Sequence, residues 1–333
     1  MRRFLPLLKT ILSTPQWLLL ILVAIGFYIF LPSFRSVDNL ITVVFMVSYL
    51  GMMALGEAVV VISGGFDLSV GAMNTYLAGV VFGASWVHFN LPWAVGFTLC
   101  LLAGVIAGVI NGLLITKLKL NAFLTTFAMA GAILGAGKLI AVATGTDYTG
   151  LKDPVFSLLG SGRLGPIPVP VIVFIVLGIL FYYLTTKTTF GTSIYAVGNN
   201  EIAARISGIN VDRIRIITYA MCGFLASFAR LVEISHETQS MMIMSDIPGF
   251  EPIVIQIIGA VFIGGISVLG GSGKISGLIA GILIIGVVSN GLEILSGGTI
   301  YIMLAVGLLI IISAALDPSI QRRFRGRIRI RGS

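Results

Sequence analysis

The chain has 333 residues, of which 57% are hydrophobic and 10% are charged. A soluble domain carries roughly 25% charged residues, so this composition excludes a soluble protein and leaves too little polar sequence for a soluble catalytic domain. The formal net charge of +8 does not indicate nucleic-acid binding, because the basic residues adjoin apolar runs and have no aromatic platform beside them. We expect residues 1–333 to form one all-α transmembrane domain in a lipid bilayer.

Apolar runs that could cross a bilayer recur along almost the whole sequence. A transmembrane helix needs about 20 mostly apolar residues, and runs bounded by Gly, Pro, Asn and charged residues predict about ten spans. The third and eighth runs are short, so each is either a complete span or a broken, re-entrant one. The predicted spans cover residues 16–32, 39–62, 70–87, 92–116, 122–143, 167–186, 215–234, 253–270, 275–296 and 299–316.

Glycine spacing predicts where some of these spans pack together. Small residues four positions apart let two helix backbones approach closely inside a membrane, where no hydrophobic effect drives helices together. Such spacings occur at Gly104–Gly108–Gly112 and at Gly277–Gly281.

The distribution of Lys and Arg predicts the orientation of the spans. With an even number of spans and a cytoplasmic N-terminus, only Arg35, Lys152 and Arg163 fall in outside segments. The other cations that lie between spans fall inside, together with the basic tail at residues 318–333, as the positive-inside rule requires. Both termini are therefore expected in the cytoplasm, with the tail against anionic lipid.

The inside loop at residues 187–214 is predicted to contain a short helix. Asn199 or Asn200 is a suitable N-cap, Glu201 suits the first turn, and Gly208 can end the helix in the left-handed conformation. Such a helix could transmit force to a soluble partner, or it could be an ordinary helical turn in a surface loop. Between these ends Ala203 and Ala204 favour helix, and Arg205 is placed in the last turn. Asp212 is expected to cap the helix that follows.

Ionisable residues inside predicted spans indicate either pairing or function, because a charge in the bilayer is costly. Arg230 and Glu233 are predicted to form a local ion pair. Glu57 and Lys138 could pair with each other or face an internal cavity. No close acidic cluster is expected, which weakens the interpretation of the chain as an ion-coupled transporter.

Uncharged polar residues within the spans could contact a neutral polyol or form hydrogen bonds between helices. Asp67 differs from them, because it precedes the third span and is expected to cap it. The amide and carboxyl side chains that are candidates for a translocation path are those of Glu57, Asn74, Asn111 and Asn290.

No nucleotide or metal site is expected. A phosphate-binding loop needs Gly six residues before its Lys and Ser or Thr after it, whereas Lys274 has Val268 and Ile275 at these positions. The segment is therefore predicted to be a tight turn between helices. Cys100 and Cys222 are expected to be buried structural thiols, and no enzyme motif is present.

Three segments resemble the permeases of the ribose-type family of ATP-binding-cassette importers. Residues 64–71, Gly-Gly-Phe-Asp-Leu-Ser-Val-Gly, are similar to a signature of two glycines, a hydrophobic residue and DLSVG. Residues 195–208 resemble the cytoplasmic coupling segment. Residues 264–271 are similar to a late turn with paired glycines, and they also show a weak likeness to residues 64–71. Where such permeases carry an acidic stretch before the late turn, this chain has Val254 and Gln256, which puts the particular sugar in doubt.

The resemblance implies a permease subunit without its own ATP site, in the inner membrane of a bacterium. It implies three partners, namely a separate ATPase that binds ATP and magnesium, an extracytoplasmic sugar-binding protein, and a second permease subunit. A stand-alone secondary transporter or facilitator is the alternative. The residues implied in coupling are Gly198, Asn199, Asn200, Glu201, Ala203, Ala204, Arg205 and Gly208. The residues of the signature turn are Gly64, Gly65, Asp67, Ser69 and Gly71.

Overall fold

The computed structural model describes residues 15–144, 153–236, 252–296 and 299–316, so the basic tail lies outside the described residues. Helices account for almost all of this part of the chain. In order they are α1 (Pro15–Phe30), α2 (Val37–Ile62), α3 (Val70–His88), α4 (Trp93–Thr116), α5 (Ala122–Thr144), α6 (Pro154–Ser161), α7 (Val169–Lys187), α8 (Thr189–Asn199), α9 (Glu201–Ile206), α10 (Val211–His236), α11 (Pro252–Ile263), α12 (Ile275–Ser296) and α13 (Thr299–Leu316). One hairpin of β1 (Arg163–Leu164) and β2 (Ile167–Pro168) precedes α7.

Seven of these helices are long and apolar enough to cross a membrane, namely α2, α3, α4, α5, α7, α10 and α12. They coincide with seven of the ten predicted spans. The other three predicted spans coincide with α1, α11 and α13. These helices are also apolar, but their apolar stretches are only 10–17 residues long. The fold is therefore an all-α membrane protein.

Helix α2 lies at the centre of the bundle. From Leu50 to Ile62 every one of its side chains is buried, because α7, α10, α11 and α12 all pack against it. By contrast, in α4, α5 and α7 fewer than half of the residues in the most apolar stretch are buried, and apolar side chains are exposed at the periphery. An apolar exposed surface suits a helix that faces lipid rather than water.

Within the described residues the most extensive helix–helix contact joins α4 to α10, and it follows the predicted glycine spacing. A Cβ atom on Gly104 would meet the carbonyl of Gly223, and one on Gly108 would meet the carbonyl of Tyr219. One on Gly112 would lie 2.7 Å from Cα of Ile216. The predicted close approach is confirmed.

The second predicted seam is confirmed as well. A Cβ atom on Gly277 would meet the carbonyl of Gly264, and one on Gly281 would meet the carbonyl of Ala260. Helix α12 therefore lies directly against the end of α11, backbone to backbone.

The eighth predicted span is wrong in its second half. Helix α11 ends at Ile263, where Gly265 adopts a φ of 80° and closes the helix with a bond from Ile266 N to Val261 O. The apolar residues Val268 and Leu269, which extended the predicted span, belong instead to the late turn that the paired glycines indicated. The third predicted span is a single helix with two π-helical stretches, Met73–Ala78 and Ala84–His88.

One end of the bundle is closed by aromatic side chains around the short helix α6. The ring of Phe156 lies 4.9 Å from that of Phe82 and 5.7 Å from those of Trp86 and Trp93. Asp153 caps α6 by accepting hydrogen bonds from two backbone amides of its first turn. Helices α8 and α9 lie at the opposite end, which is called here the α9 end.

The α4–α10 contact gives a first testable prediction. We expect Gly108→Ala to lower the free energy of unfolding by about 1–3 kcal/mol, because the methyl group must push the two backbones apart. The matched control is Gly135→Ala in α5, where a Cβ atom would have no neighbour within 4 Å. Thermal unfolding of both purified variants measures the difference, and equal melting temperatures would contradict the assigned contact.

Candidate functional site

Helix α9 has the ends that the sequence predicts. The Asn200 side chain accepts a hydrogen bond of 3.0 Å from the amide of Ala203, so Asn200 rather than Asn199 is the N-cap. Glu201 lies in the first turn and Arg205 in the last, where each charge suits the helix dipole. Gly208 follows the helix with a φ of 84°, a conformation that favours glycine.

The loop around α9 differs from the prediction in two ways. Residues Thr189–Asn199 form the helix α8, which is capped by Thr188 and was not predicted. The cap of α10 is Asn210, whose Oδ1 accepts a hydrogen bond of 3.0 Å from the amide of Arg213. Asp212 lies instead within the first turn of α10, and its carboxylate binds cations.

A chain of ion pairs holds α9 against α4 and α10. Asp212 pairs with Nζ of Lys117 at 2.8 Å and with Nη2 of Arg205 at 2.7 Å. Glu201 pairs with Arg205 at 3.0 Å and with Arg215 at 2.9 Å. Hydrogen bonds from Lys117 and Arg205 lower the pKa of Asp212. Partial burial alone would raise the pKa of Glu201. The hydrogen bonds and charges of Arg205 and Arg215 have the larger combined effect, so the pKa of Glu201 is lowered.

Three backbones meet beside α9, at a point called here the glycine crossing and formed by Ile62, Gly64, Gly198 and Gly271. The amide of Gly271 donates a hydrogen bond of 2.8 Å to the carbonyl of Ile62. A Cβ atom on Gly198 would collide with that carbonyl, and one on Gly271 would lie 2.6 Å from Cα of Asn199. The structure thus brings together the coupling segment, the signature turn and the late turn, which are far apart in sequence.

A hydroxyl group reinforces the contact between α8 and the late turn. Oη of Tyr195 donates a hydrogen bond of 2.9 Å to the carbonyl of Gly273. The late turn is a glycine turn, as predicted, in which Gly270, Gly271 and Gly273 all have positive φ.

The signature turn is built around α10. Gly64 has a φ of 81°, and the amide of Gly65 bonds to the carbonyl of Val60, so the turn closes α2 in the way that Gly265 closes α11. Oη of Tyr219 accepts a hydrogen bond from the Phe66 amide and donates one to the Phe66 carbonyl, both at 3.1 Å. The residue Gly71 is buried in the first turn of α3.

Asp67 fixes this turn but does not cap α3 as expected. Its Oδ1 accepts hydrogen bonds from the amide and the hydroxyl of Ser69, the residue before the helix, so the side chain closes a local turn. Burial raises the pKa of the Asp67 carboxyl to about 6, although the bonds from Ser69 lower it.

Two buried carboxylates adjoin each other here, contrary to the expectation that no close acidic cluster exists. Oε1 of Glu57 accepts a hydrogen bond of 3.1 Å from the amide of Asp67, and its Oε2 lies 3.7 Å from Sγ of Cys222. Nδ2 of Asn111 donates a hydrogen bond of 2.9 Å to Oγ of Ser69. The suggested partner of Glu57, Lys138, makes no ion pair with it in the described structure. Glu57 lies in α2 and Asn111 in α4, so the network joins three helices.

The remaining polar candidates lie apart from this network and hold helices together. Nδ2 of Asn74 donates a hydrogen bond of 3.0 Å to the carbonyl of Ala226 in α10. Asn290 exchanges two hydrogen bonds of 2.9 Å with Asn39, which joins α12 to α2. The structure therefore shows the helix–helix role for both, and contact with a transported solute stays a prediction. The expected Arg230–Glu233 ion pair is confirmed at 2.8 Å.

Sequence reasoning missed two isoleucines on the free face of α9. Ile202 and Ile206 are 72% and 83% exposed, although they belong to a helix whose charged side chains pair with the bundle. Their spacing of four residues places them on one face of the helix. An apolar i, i+4 pair on a short polar helix is the signal that could have identified them.

Comparisons with known proteins agree over most of the chain. A family model described as the permease component of branched-chain amino acid transport systems matches residues 39–315. The chain is 32% identical over 288 residues to the ribose import permease protein RbsC of Escherichia coli, which covers 86% of this chain and 87% of that protein. It is 34% identical over 305 residues to the L-arabinose transport system permease protein AraH of Escherichia coli, with 89% and 88% covered.

A third relative and one solved structure extend the comparison. The fructose import permease protein FrcC of Rhizobium meliloti is 30% identical over 311 residues, which cover 92% of this chain and 85% of that protein. The structure of PsaBC from Streptococcus pneumoniae in complex with Fab matches with a TM-score of 0.51 and 12% identity, over 88% of this chain and 96% of that chain. This second likeness concerns the fold alone.

The glycine crossing gives the second prediction. We expect Gly198→Ala to separate α8 from the end of α2, and amide hydrogen exchange within residues 189–206 to become at least several-fold faster. The control is Thr192→Ala, which changes an exposed side chain of the same helix. Exchange rates measured by mass spectrometry test this directly, and unchanged rates in Gly198→Ala would show that the crossing does not hold α8.

Proposed function

Since the chain belongs to the family of transport-system permease components, we propose that it is the membrane-spanning subunit of an ATP-binding-cassette importer for a monosaccharide. The observation that carries this conclusion is the similarity to permeases named for ribose, L-arabinose and fructose, which extends over 86–92% of the chain. The family model is described by amino acid transport, but the relatives that share about a third of their residues with this chain are sugar permeases. A monosaccharide is therefore the favoured solute class.

The basic residues support an orientation with the α9 end in the cytoplasm. Three cations form ion pairs at this end, namely Lys117, Arg205 and Arg215. Cytoplasmic loops of membrane proteins are enriched in Lys and Arg. With α1, α11 and α13 counted among the crossings, the chain has ten spans and both termini in the cytoplasm. The protein is then a multi-pass component of the bacterial inner membrane.

Helix α9 is the proposed docking element for a separate ATPase that binds ATP and magnesium. Its free face carries Ile202 and Ile206, and exposed apolar side chains at the centre of a polar surface are typical of an interface. Its other face is held by Glu201 and Arg205 through ion pairs. A force applied to the isoleucines would therefore move the helix as a unit.

The glycine crossing is the proposed route of that force into the membrane. Gly198 lies directly against Ile62 and Gly271, so α8 contacts the cytoplasmic end of α2 and the turn that begins α12. Both helices are central in the bundle. Closing of the ATPase pair would then rock α2 and α12 and switch a cavity between its outward-facing and inward-facing states. A second permease subunit and an extracytoplasmic sugar-binding protein complete the proposed assembly.

The docking role of α9 gives the third prediction. We expect Ile202→Ala together with Ile206→Ala to reduce the amount of ATPase that co-purifies by about tenfold, because two apolar anchors leave the interface. The control is Leu164→Ala in the β-hairpin at the other end, where the leucine is also exposed. The chain is expressed with its neighbouring genes and the recovered subunits are quantified. Full recovery of the ATPase with the double variant would contradict the assigned surface.

The ion-paired face gives the fourth prediction. We expect Glu201→Gln to leave the ATPase bound but to lower sugar-stimulated ATP hydrolysis by about three- to tenfold, because α9 loses its bond to Arg215 and moves without the bundle. Glu293→Gln in α12 is the control, since it makes the same chemical change at an exposed site. Uptake of labelled sugar after ATP depletion is measured in parallel. Uptake that survives would favour a secondary transporter instead.

A further inference from the structure

The buried carboxylates of Glu57 and Asp67 need something to compensate their negative charge, and the transport role does not explain what does so. Both residues are fully buried, and neither forms an ion pair with any described residue. Two adjacent negative charges without a cation are strongly unfavourable in a membrane protein. One proton on the pair would halve this charge.

One oxygen of the pair has no hydrogen-bond partner. Oδ2 of Asp67 is buried and unpaired among the described residues, as is Oδ1 of Asn111. Nδ2 of Asn111 donates one N–H to Oγ of Ser69, and the Asn111 amide also acts as a hydrogen-bond donor toward the Asp67 carboxylate. The unpaired Asp67 oxygen marks a place where a hydrogen atom can be added to the pair.

The other groups that face the pair supply no positive charge. Helix α10 contributes the thiol of Cys222 and the hydroxyl of Tyr219. Helix α5 contributes the hydroxyl of Thr126, which accepts a hydrogen bond from the amide of Leu68. Arg215 is the cation among the charged groups that act on Tyr219, the others being Asp67 and Glu57, and its guanidinium pairs with Glu201. No group of three or more His, Cys, Asp or Glu side chains that could hold a metal ion occurs among the described residues, which favours a proton over a metal cation.

We propose that Glu57 and Asp67 form a proton-binding site that keeps one proton at neutral pH and releases it only in alkaline solution. Asp67 is the better anion of the two, since its Oδ1 accepts two hydrogen bonds from Ser69. The second ionisation places two charges side by side and therefore needs a higher pH than the first. Loss of that proton loosens the signature turn, which adjoins the glycine crossing through Gly64.

The spectroscopic test needs only the purified chain and no partner. Infrared spectra at about pH 7 are expected to show the carbonyl band of a protonated, buried carboxylic acid, which shifts in heavy water and disappears in alkaline solution. Carboxyl-¹³C glutamate and aspartate, introduced in separate samples, show whether the band belongs to a glutamate or an aspartate side chain. Glu57→Gln removes the band, whereas Glu293→Gln retains it. A spectrum without the band at neutral pH would overturn the proposal, as would a band that persists in Glu57→Gln.

A functional test rests on the proposed transport role and uses the assembled complex. Sugar-stimulated ATP hydrolysis by the wild type and by Glu293→Gln is expected to fall at least about threefold between pH 7 and pH 9, while Glu57→Gln loses this alkaline decline. A decline of equal size in Glu57→Gln, or one that is reversed by added sodium ions at constant pH, would contradict a proton site. If the infrared band is found but no hydrolysis occurs, the proton site stands and the transport role fails.

Discussion

The glycine crossing is the constraint on which the α9 end depends. A carbonyl at the end of α2, an amide of the late turn and the Cα of Gly198 occupy a space that admits no side chain. Interiors packed at this density transmit displacement instead of absorbing it. The crossing thus turns a short surface helix into an extension of α2, the most buried helix of the bundle. The positive φ of Gly64 and Gly271 makes this approach possible.

The charged and apolar parts of α9 have separate roles. Ion pairs between exposed side chains contribute little to stability, because water screens them. The pairs of Glu201 and Arg205 therefore orient the helix, while the contact at Gly198 fixes its position. The exposed isoleucines contribute neither to the orientation nor to the position of the helix, so they are free to bind a partner. This division explains why a helix of only six residues keeps a defined place on the surface of the protein.

Features that depend on local sequence were predictable, whereas contacts between distant segments were not. The ends of α9 were assigned to Asn199 or Asn200 and to Gly208, since caps depend on a few neighbouring residues. The spacing of Gly104, Gly108 and Gly112 likewise indicated a close helix contact. The meeting of Gly198 with Gly271 has no signal in either segment, because it depends on how α8 and α12 are placed by the whole bundle. The adjacency of Glu57 and Asp67 was missed for a related reason, as a reversal of the chain at Gly64 brings them together.

Two sets of carboxylates near the α9 end have opposite relations to pH. The pKa values of Glu201 and Asp212 are lowered by cations, so their ion pairs persist at neutral pH and are lost only as the pH falls below the ordinary range of carboxyl groups. The pKa of Asp67 is raised by burial, so its protonated form persists to a higher pH than it would in water. Acid therefore weakens the ion pairs that orient α9, whereas the backbone contact at Gly198 that fixes its position has no titratable group. In alkali, loss of the proton that Glu57 and Asp67 are proposed to share would add charge to the signature turn beneath α9.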